Sequence, residues 1–213
     1  MDVSGSEDGV VQLRKLAVEG AFEFQPQVFT DERGVFVSPF QEREFQRALG
    51  HPLFPVAQTS HSYSRRGTIR GAHYTLTPPG VAKYVYCASG RALDIIIDIR
   101  SGSPTYGRSE AVLLGPEEFR TVYIPVGVAH AFIALKDETV MSYMLSGEYA
   151  KENELALSVF DPVLGLPLPG DIDPIMSERD RAAPTLEMAA RTGTLPDYAQ
   201  CLEIEWALCA PGR

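Results

Sequence analysis

The chain has 213 residues, 45% of them hydrophobic and 22% charged, with 19 Lys and Arg against 28 Asp and Glu for a net charge of -9. That length suffices for one substantial core and is short for two. The acidic balance argues against nonspecific nucleic-acid binding, although a few local arginines can still hold a nucleotide-sized anion.

Met1 to Gly9 is acidic and rich in small residues, without the basic and apolar regions of a secretion leader. It is expected to be a frayed tail of a cytoplasmic protein. From Val11 to about Phe160, short alternating or apolar runs recur between Gly, Pro and Asp punctuation. They include Ala21-Phe-Glu-Phe, Val35-Phe-Val, Thr68-Ile-Arg, Tyr84-Val-Tyr-Cys and Ala111-Val-Leu-Leu, then Thr121-Val-Tyr-Ile, Ala131-Phe-Ile-Ala-Leu and Val140-Met-Ser-Tyr-Met. The longest, Ala92 to Ile99, is broken by Asp94 and Asp98, so no segment is apolar enough to span a bilayer. One helix interrupts early, with Ser38 as N-cap, Pro39 at N1, Gln41 at the capping-box position and Gly50 as the stop. Phe45 and Leu49 give it an apolar stripe.

After Asp161, prolines at 162, 167, 169 and 174 predict an extended irregular stretch, and a second helix is expected from near Ser177 to Gly193. The whole chain, residues 1–213, is predicted to be one all-β domain. Its β core covers about residues 10–160, and an extended and helical appendage covers about 161–213. So many strands without intervening helices indicate a sandwich or barrel. Cys87, Cys201 and Cys209 form no CxxC spacing, and their odd number points to free thiols in a reducing compartment.

Pro125-Val-Gly-Val-Ala-His130 fits the second motif of a cupin-type jelly roll (a double-stranded β-helix), in which a turn delivers a histidine into the barrel. His73 lies where the first motif belongs. A metal site there needs several ligands. The residue two beyond His73 is Thr75, no Glu follows at the required spacing, and Ala134 replaces the usual asparagine. Metal ligation is therefore not expected. His73 as itself is a natural general base near neutral pH; its alternative is a hydrogen-bonded core histidine. Lys83, delivered by the Pro78-Pro-Gly turn, either faces the interior to meet a developing negative charge or points outward. Tyr143 is a cleft residue or a core tyrosine. Asp180, in Ser177-Glu-Arg-Asp, is a capping-box residue or a catalytic carboxylate. Arg33 is a turn charge or a phosphate fork.

From Phe29-Thr-Asp-Glu-Arg-Gly through Arg70-Gly-Ala-His-Tyr, Lys83, Asp98-Ile-Arg-Ser-Gly, Ile124-Pro-Val-Gly-Val-Ala-His130, Tyr143 and Asp161-Pro to Ser177-Glu-Arg-Asp180, the sequence resembles the dTDP-4-dehydrorhamnose 3,5-epimerase family. The resemblance covers most of residues 22–185. It implies a metal-free and cofactor-free cupin jelly roll, usually a homodimer whose N-terminal strands join the partner's sheet, and a dTDP-4-keto-6-deoxyhexose substrate. It further implies His73 as base, Asp180 as the carboxylate orienting it, Tyr143 as acid on the opposite face and Lys83 as the cation at the enolate oxygen. Arg33 and Arg70 become pyrophosphate ligands, and Gln58, Ser60, His130 and Tyr149 line the nucleotide-sugar cleft. Many family members carry Glu, Asn, Leu and Gln where this chain has Ser38, Ser60, Ala72 and Thr75, differences that bear on substrate positioning. The stretches around Val35 and Thr77 resemble those of antibiotic-sugar enzymes, some of which invert one carbon only. The alternatives are a nucleotide-sugar ketoisomerase on the same fold, a non-catalytic nucleotide-sugar-binding cupin and a metal-dependent cupin oxygenase. Product NMR, deuterium wash-in and elemental analysis distinguish them.

Overall fold

The computed structural model describes residues 11–210; the expected N-terminal tail lies outside them. In chain order the elements are β1 (Gln12–Lys15), β2 (Phe22–Gln25), β3 (Val28–Asp31), β4 (Gly34–Val37), α1 (Glu42–Leu49), β5 (Gln58–Ser64), β6 (Ile69–Thr75), β7 (Lys83–Ser89) and β8 (Ala92–Ile97). They continue with β9 (Ser109–Leu114), β10 (Thr121–Ile124), β11 (Ala129–Ala134), β12 (Thr139–Leu145), a 3₁₀ turn, β13 (Glu154–Ala156), α2 (Glu178–Arg181), α3 (Leu186–Arg191) and α4 (Tyr198–Cys209). The strands form a six-stranded sheet ordered β1-β2-β10-β7-β12-β5 and a five-stranded sheet ordered β13-β6-β11-β8-β9, with β3 and β4 as a separate hairpin. All named pairings are antiparallel. This is the predicted cupin-like jelly roll.

Strand alternation sorts side chains into three buried clusters. Val85, Val122 and Met141 of one sheet meet Ile96, Val112 and Phe132 of the other, filling the interior between the sheets. On the far side of the five-stranded sheet, Ile95, Ile97, Ala131 and Ile133 are covered by the C-terminal segment through Leu157, Leu164 and Leu186. The far side of the six-stranded sheet packs Phe24, Tyr84 and Tyr123 against Phe45 of α1 and Cys201 of α4. Each sheet is thus apolar on both faces over much of its length. Truncating a wholly buried residue such as Phe132 to Ala would cost about 3–5 kcal/mol.

Two helix expectations need correction. Ser38 does not cap α1; the N-cap is Gln41, with no side-chain bond, and Glu42 and Glu44 provide the favourable charge in the first turn. Pro39 and Phe40 instead close over Tyr84. The Tyr84 hydroxyl donates to the Pro39 carbonyl at 2.9 Å, and Phe40 packs edge-on to the Tyr84 ring. Gly50 does end the helix, in the left-handed region at φ 79°. The helix expected from Ser177 to Gly193 is two short ones. Pro184 lacks an N–H and disfavours helical geometry at Ala183, so Thr185 starts α3 afresh by accepting from the Met188 amide.

The twelve-residue α4 was not anticipated. Asp197 caps it through the Gln200 amide at 2.9 Å, and Glu205 reaches back to the Tyr123 hydroxyl and the Val126 amide. Trp206 on the same helix is 76% exposed.

Candidate active site

Inward-facing residues of β5, β6, β7, β11 and β12 surround a cavity of about 350 Å³, a size suited to a small-molecule ligand. On β7, Lys83 has the same parity as Val85 and Cys87, which face the core between the sheets. This resolves the orientation that alternation left open. Its side chain is buried, and among the described residues Nζ donates only to the His73 carbonyl, at 3.4 Å. Burial lowers the Lys83 pKa, partly opposed by the negative charges of Glu154 and Asp94. On β12, Tyr143 pairs with Val85 and Ser60, and Leu145 with Lys83 and Gln58, so these groups stand side by side on one sheet.

His73 comes from the other sheet. On β6, Arg70 and His73 both line the cavity although they are three residues apart; a regular strand would point them to opposite faces. A bulge reconciles this. His130 pairs with His73 and Phe132 with Arg70, so Gly71 and Ala72 together oppose Ala131 alone. Gly71 takes φ 123°, a conformation L side chains rarely adopt.

Asp180 approaches His73 from α2. The Ser177 side chain accepts from the Asp180 amide at 3.1 Å, and the Asp180 Oδ1 meets His73 Nε2 at 2.7 Å. The cap fixes the turn that aims the carboxylate at the imidazole. Burial pushes the Asp180 carboxyl up, but hydrogen bonds from His73, Ser177 and the Gly71 backbone outweigh it, leaving the pKa below 3.8. An ionised Asp180 favours the tautomer in which Nε2 carries the proton and the lone pair lies on Nδ1.

Arg70 lies at the outer part of the cavity, its Nε donating to Ser64 at 3.3 Å. Gln58 donates to Ser60 Oγ at 2.8 Å and accepts from the Tyr149 amide at 2.8 Å, which fixes the exposed Tyr149 beside the cavity. Burial holds the Tyr143 phenol far above its ordinary pKa, with Asp94 adding to the effect and Arg70 opposing it. Arg33 is not in this group. It sits in the β3–β4 turn, 85% exposed and paired with Asp31, beside the exposed apolar residues Phe29, Val35 and Phe36.

Two acidic residues, one behind the cavity and one lining it, escaped the sequence reading. Asp94, 1% exposed, accepts from His130 Nε2 at 2.5 Å; its only trace was an acidic residue inside the most apolar strand. Glu154 accepts from Thr75 Oγ1 at 3.0 Å on the edge strand beside His73. Among the described residues, no three His, Cys, Asp or Glu side chains gather into a set that could hold a metal ion.

Known proteins resemble this chain in sequence and fold. A family profile described as dTDP-4-dehydrorhamnose 3,5-epimerase matches residues 15–188. A dTDP-4-dehydrorhamnose 3,5-epimerase of Streptomyces griseus is 43% identical over 94% of this chain and 99% of its own length. A dTDP-4-dehydro-6-deoxyglucose 3-epimerase of a Streptomyces species is 44% identical over 87% of this chain and 94% of its own. Among solved structures, ChmJ, a 3'-monoepimerase from Streptomyces bikiniensis in complex with dTDP-quinovose, superposes with a TM-score of 0.86 at 42% identity, over 91% of this chain and 97% of that one. The profile spans the barrel strands, the bulge at Gly71, and α2 with Asp180. The chain belongs to the dTDP-4-dehydrorhamnose 3,5-epimerase family.

Proposed function

We propose that this epimerase acts on a dTDP-4-keto-6-deoxyhexose, with His73 removing a proton next to the C4 ketone and Tyr143 returning one from the other side. The observation that carries the reading is the His73–Asp180 pair at 2.7 Å, in one cavity with Lys83 and Tyr143. His73 belongs to the five-stranded sheet and Tyr143 to the six-stranded sheet, so a sugar between them meets base and acid on opposite faces. That is the requirement for inversion.

The C4 ketone acidifies the hydrogens at C3 and C5. As His73 takes one, negative charge moves to the ketone oxygen, where the Lys83 ammonium receives it. Charge stabilisation of this kind contributes roughly 3–4 kcal/mol, and a positioned base roughly 10²–10⁴-fold in rate. The raised phenol pKa keeps Tyr143 protonated through neutral pH. Arg70, nearer solvent, is assigned to the diphosphate, with Gln58, Ser60, His130 and Tyr149 around the nucleotide sugar.

Arg33 is assigned to the diphosphate of a second protomer's site. Its exposed turn lies outside the cavity of its own chain, and the apolar hairpin beneath it suits burial against another copy in a homodimer. No helix among the described residues is long and apolar enough to cross a membrane.

Incubation with dTDP-4-keto-6-deoxyglucose in D₂O, followed by NMR, tests the reading. Deuterium is expected at C3, at C5 or at both, with inverted configuration, and His73→Ala should abolish the exchange. Exchange undiminished in His73→Ala would overturn the assignment, and a relocated carbonyl would mark a ketoisomerase instead. The pattern of labelling also decides between one and two inverted centres, on which the 3-epimerase and 3,5-epimerase relatives differ.

A further inference from the structure

A second imidazole–carboxylate pair lies beside the first. His130 on β11 is the register partner of His73 on β6, and both rings line the same cavity. Side chains paired in this way stand about 4.5–5.5 Å apart at Cβ. Each ring is held through Nε2 by a carboxylate, His73 by Asp180 and His130 by Asp94. On its other side, the His130 ring meets Tyr143 edge-on, with centroids 6.1 Å apart and planes at 70°. His130 therefore neighbours both the residue assigned as base and the residue assigned as acid, at the side of the space left for the sugar. Asp94 is deeply buried, and its second oxygen, Oδ2, has no hydrogen-bond partner among the described residues. Burying a carboxylate with one partner is costly where an apolar residue would pack well, so this pair calls for a role beyond filling the core.

Inversion by two residues creates a need for such a role. After one turnover His73 carries the proton it removed, and Tyr143, having given its proton up, is a phenolate. The next turnover requires the reverse: a neutral His73 and a protonated Tyr143. Resting on the reading above, we infer that the His130–Asp94 pair is the relay that returns this proton. The proton leaves the ring nitrogen of His73 not held by Asp180 and is taken by the ring nitrogen of His130 not held by Asp94. The imidazolium so formed is stabilised by the Asp94 carboxylate. His130 then passes a proton to the Tyr143 phenolate, across at most one bridging water. No proton is gained or lost overall, and no other reactant is needed. Asp94 touches neither base nor acid; it is a positioning residue that keeps His130 oriented and able to carry charge. Protonation of the phenolate is strongly favoured in a site that holds the phenol so far above its ordinary pKa.

The test compares one turnover with many. With enzyme in excess over dTDP-4-keto-6-deoxyglucose in D₂O, the first inversion uses residues already in their starting protonation states; with substrate in excess, every further inversion needs the return step. For Asp94→Asn and His130→Gln, the steady-state rate should fall roughly 10²-fold more than the single-turnover rate. A burst of about one product per site should appear, as expected when a step after chemistry becomes limiting. Added imidazole, a small diffusible proton carrier, should restore the steady-state rate without changing the single-turnover rate. Equal losses in both regimes without a burst, or no loss in either, would overturn the relay. Circular dichroism and thermal melts establish folding. If Asp94→Asn does not fold, His130→Gln with imidazole rescue decides the question, because a purely structural histidine would not be rescued. A wild-type protein that forms no inverted product would refute the epimerase reading, not the relay.

Discussion

The backbone of Ala131 lies against the bare Cα of Gly71: a Cβ placed there would sit 2.6 Å from both the Ala131 Cα and the His130 carbonyl oxygen. This contact is what allows β6 to bulge and turn Arg70 and His73 to the same side. Gly71→Ala should therefore combine a backbone clash with a strained φ and destabilise by about 1–3 kcal/mol or more. Activity should fall beyond what the loss of folded protein explains. Urea melts together with kcat per folded molecule check this; wild-type stability and rate would show that the bulge tolerates a side chain.

Tyr143→Phe removes the hydroxyl proposed as the acid and keeps the ring that packs against the core. Deprotonation by His73 should survive while protonation from the opposite side slows by about 10²–10⁴-fold. Substrate recovered from D₂O should then carry label without inversion. Equal loss of exchange and inversion would deny Tyr143 the acid role.

Lys83→Met keeps a similar shape and removes a buried charge. Its folded pKa is depressed below 10.5, so near neutral pH the folded state bears the desolvation cost of the ammonium. Stability from this group is gained as pH rises and is missing below the folded pKa. The variant should lose roughly 10²–10³-fold in kcat yet melt about 2–4 °C higher for each ~1 kcal/mol recovered. In the wild type, kcat should decline with alkaline pH earlier than an ordinary lysine would dictate. A lower melting temperature for the variant would contradict this account of the charge.

Asp180 behaves in the opposite sense. Its folded pKa lies below 3.8, so the ionised carboxylate adds stability above that value and loses it as pH falls through the folded pKa. Asp180→Asn should cost about 1–3 kcal/mol at pH 7, and the gap from wild type should close below about pH 4. Its kcat should fall about 10²–10⁴-fold because the His73 tautomer is no longer enforced. A gap independent of pH would mean that the side-chain hydrogen bonding, not the charge, is what matters.

Arg33 can be tested by mixing. Arg33→Ala and His73→Ala protomers should each be nearly inactive alone. If each site combines His73 of one chain with Arg33 of another, hybrid dimers contain one intact site, and co-refolded mixtures should regain activity. Failure to regain it would return Arg33 to its own chain or to no role.

Much of this was readable from sequence because strand runs, turn residues and the two motif histidines are local features. What was not readable depended on pairing. Period-two reasoning places Arg70 and His73 on opposite faces, and only the extra residue opposite Ala131 reverses that. Lys83 was ambiguous because β7 is buried on both sides, with Val85 toward the interior and Tyr84 toward α1. Asp94 looked like an interruption of an apolar run; its meaning came from His130, 36 residues away. The helix α4 had no legible stripe because Leu202 and Trp206 are exposed while the charged Glu205 is half-buried against Tyr123. Pro184 was a readable stop, and the predicted helix across it ignored a rule that sequence alone supplies.

Trp206 is the chain's single tryptophan, and it sits on α4 against the outer face of one sheet, outside the group that lines the catalytic cavity. Tryptophan emission of this protein will thus come from an indole that is 76% exposed in the folded state. A dTDP-sugar titration followed by that emission would stay silent even at full occupancy, and unfolding would shift it little, because the ring is already largely in water.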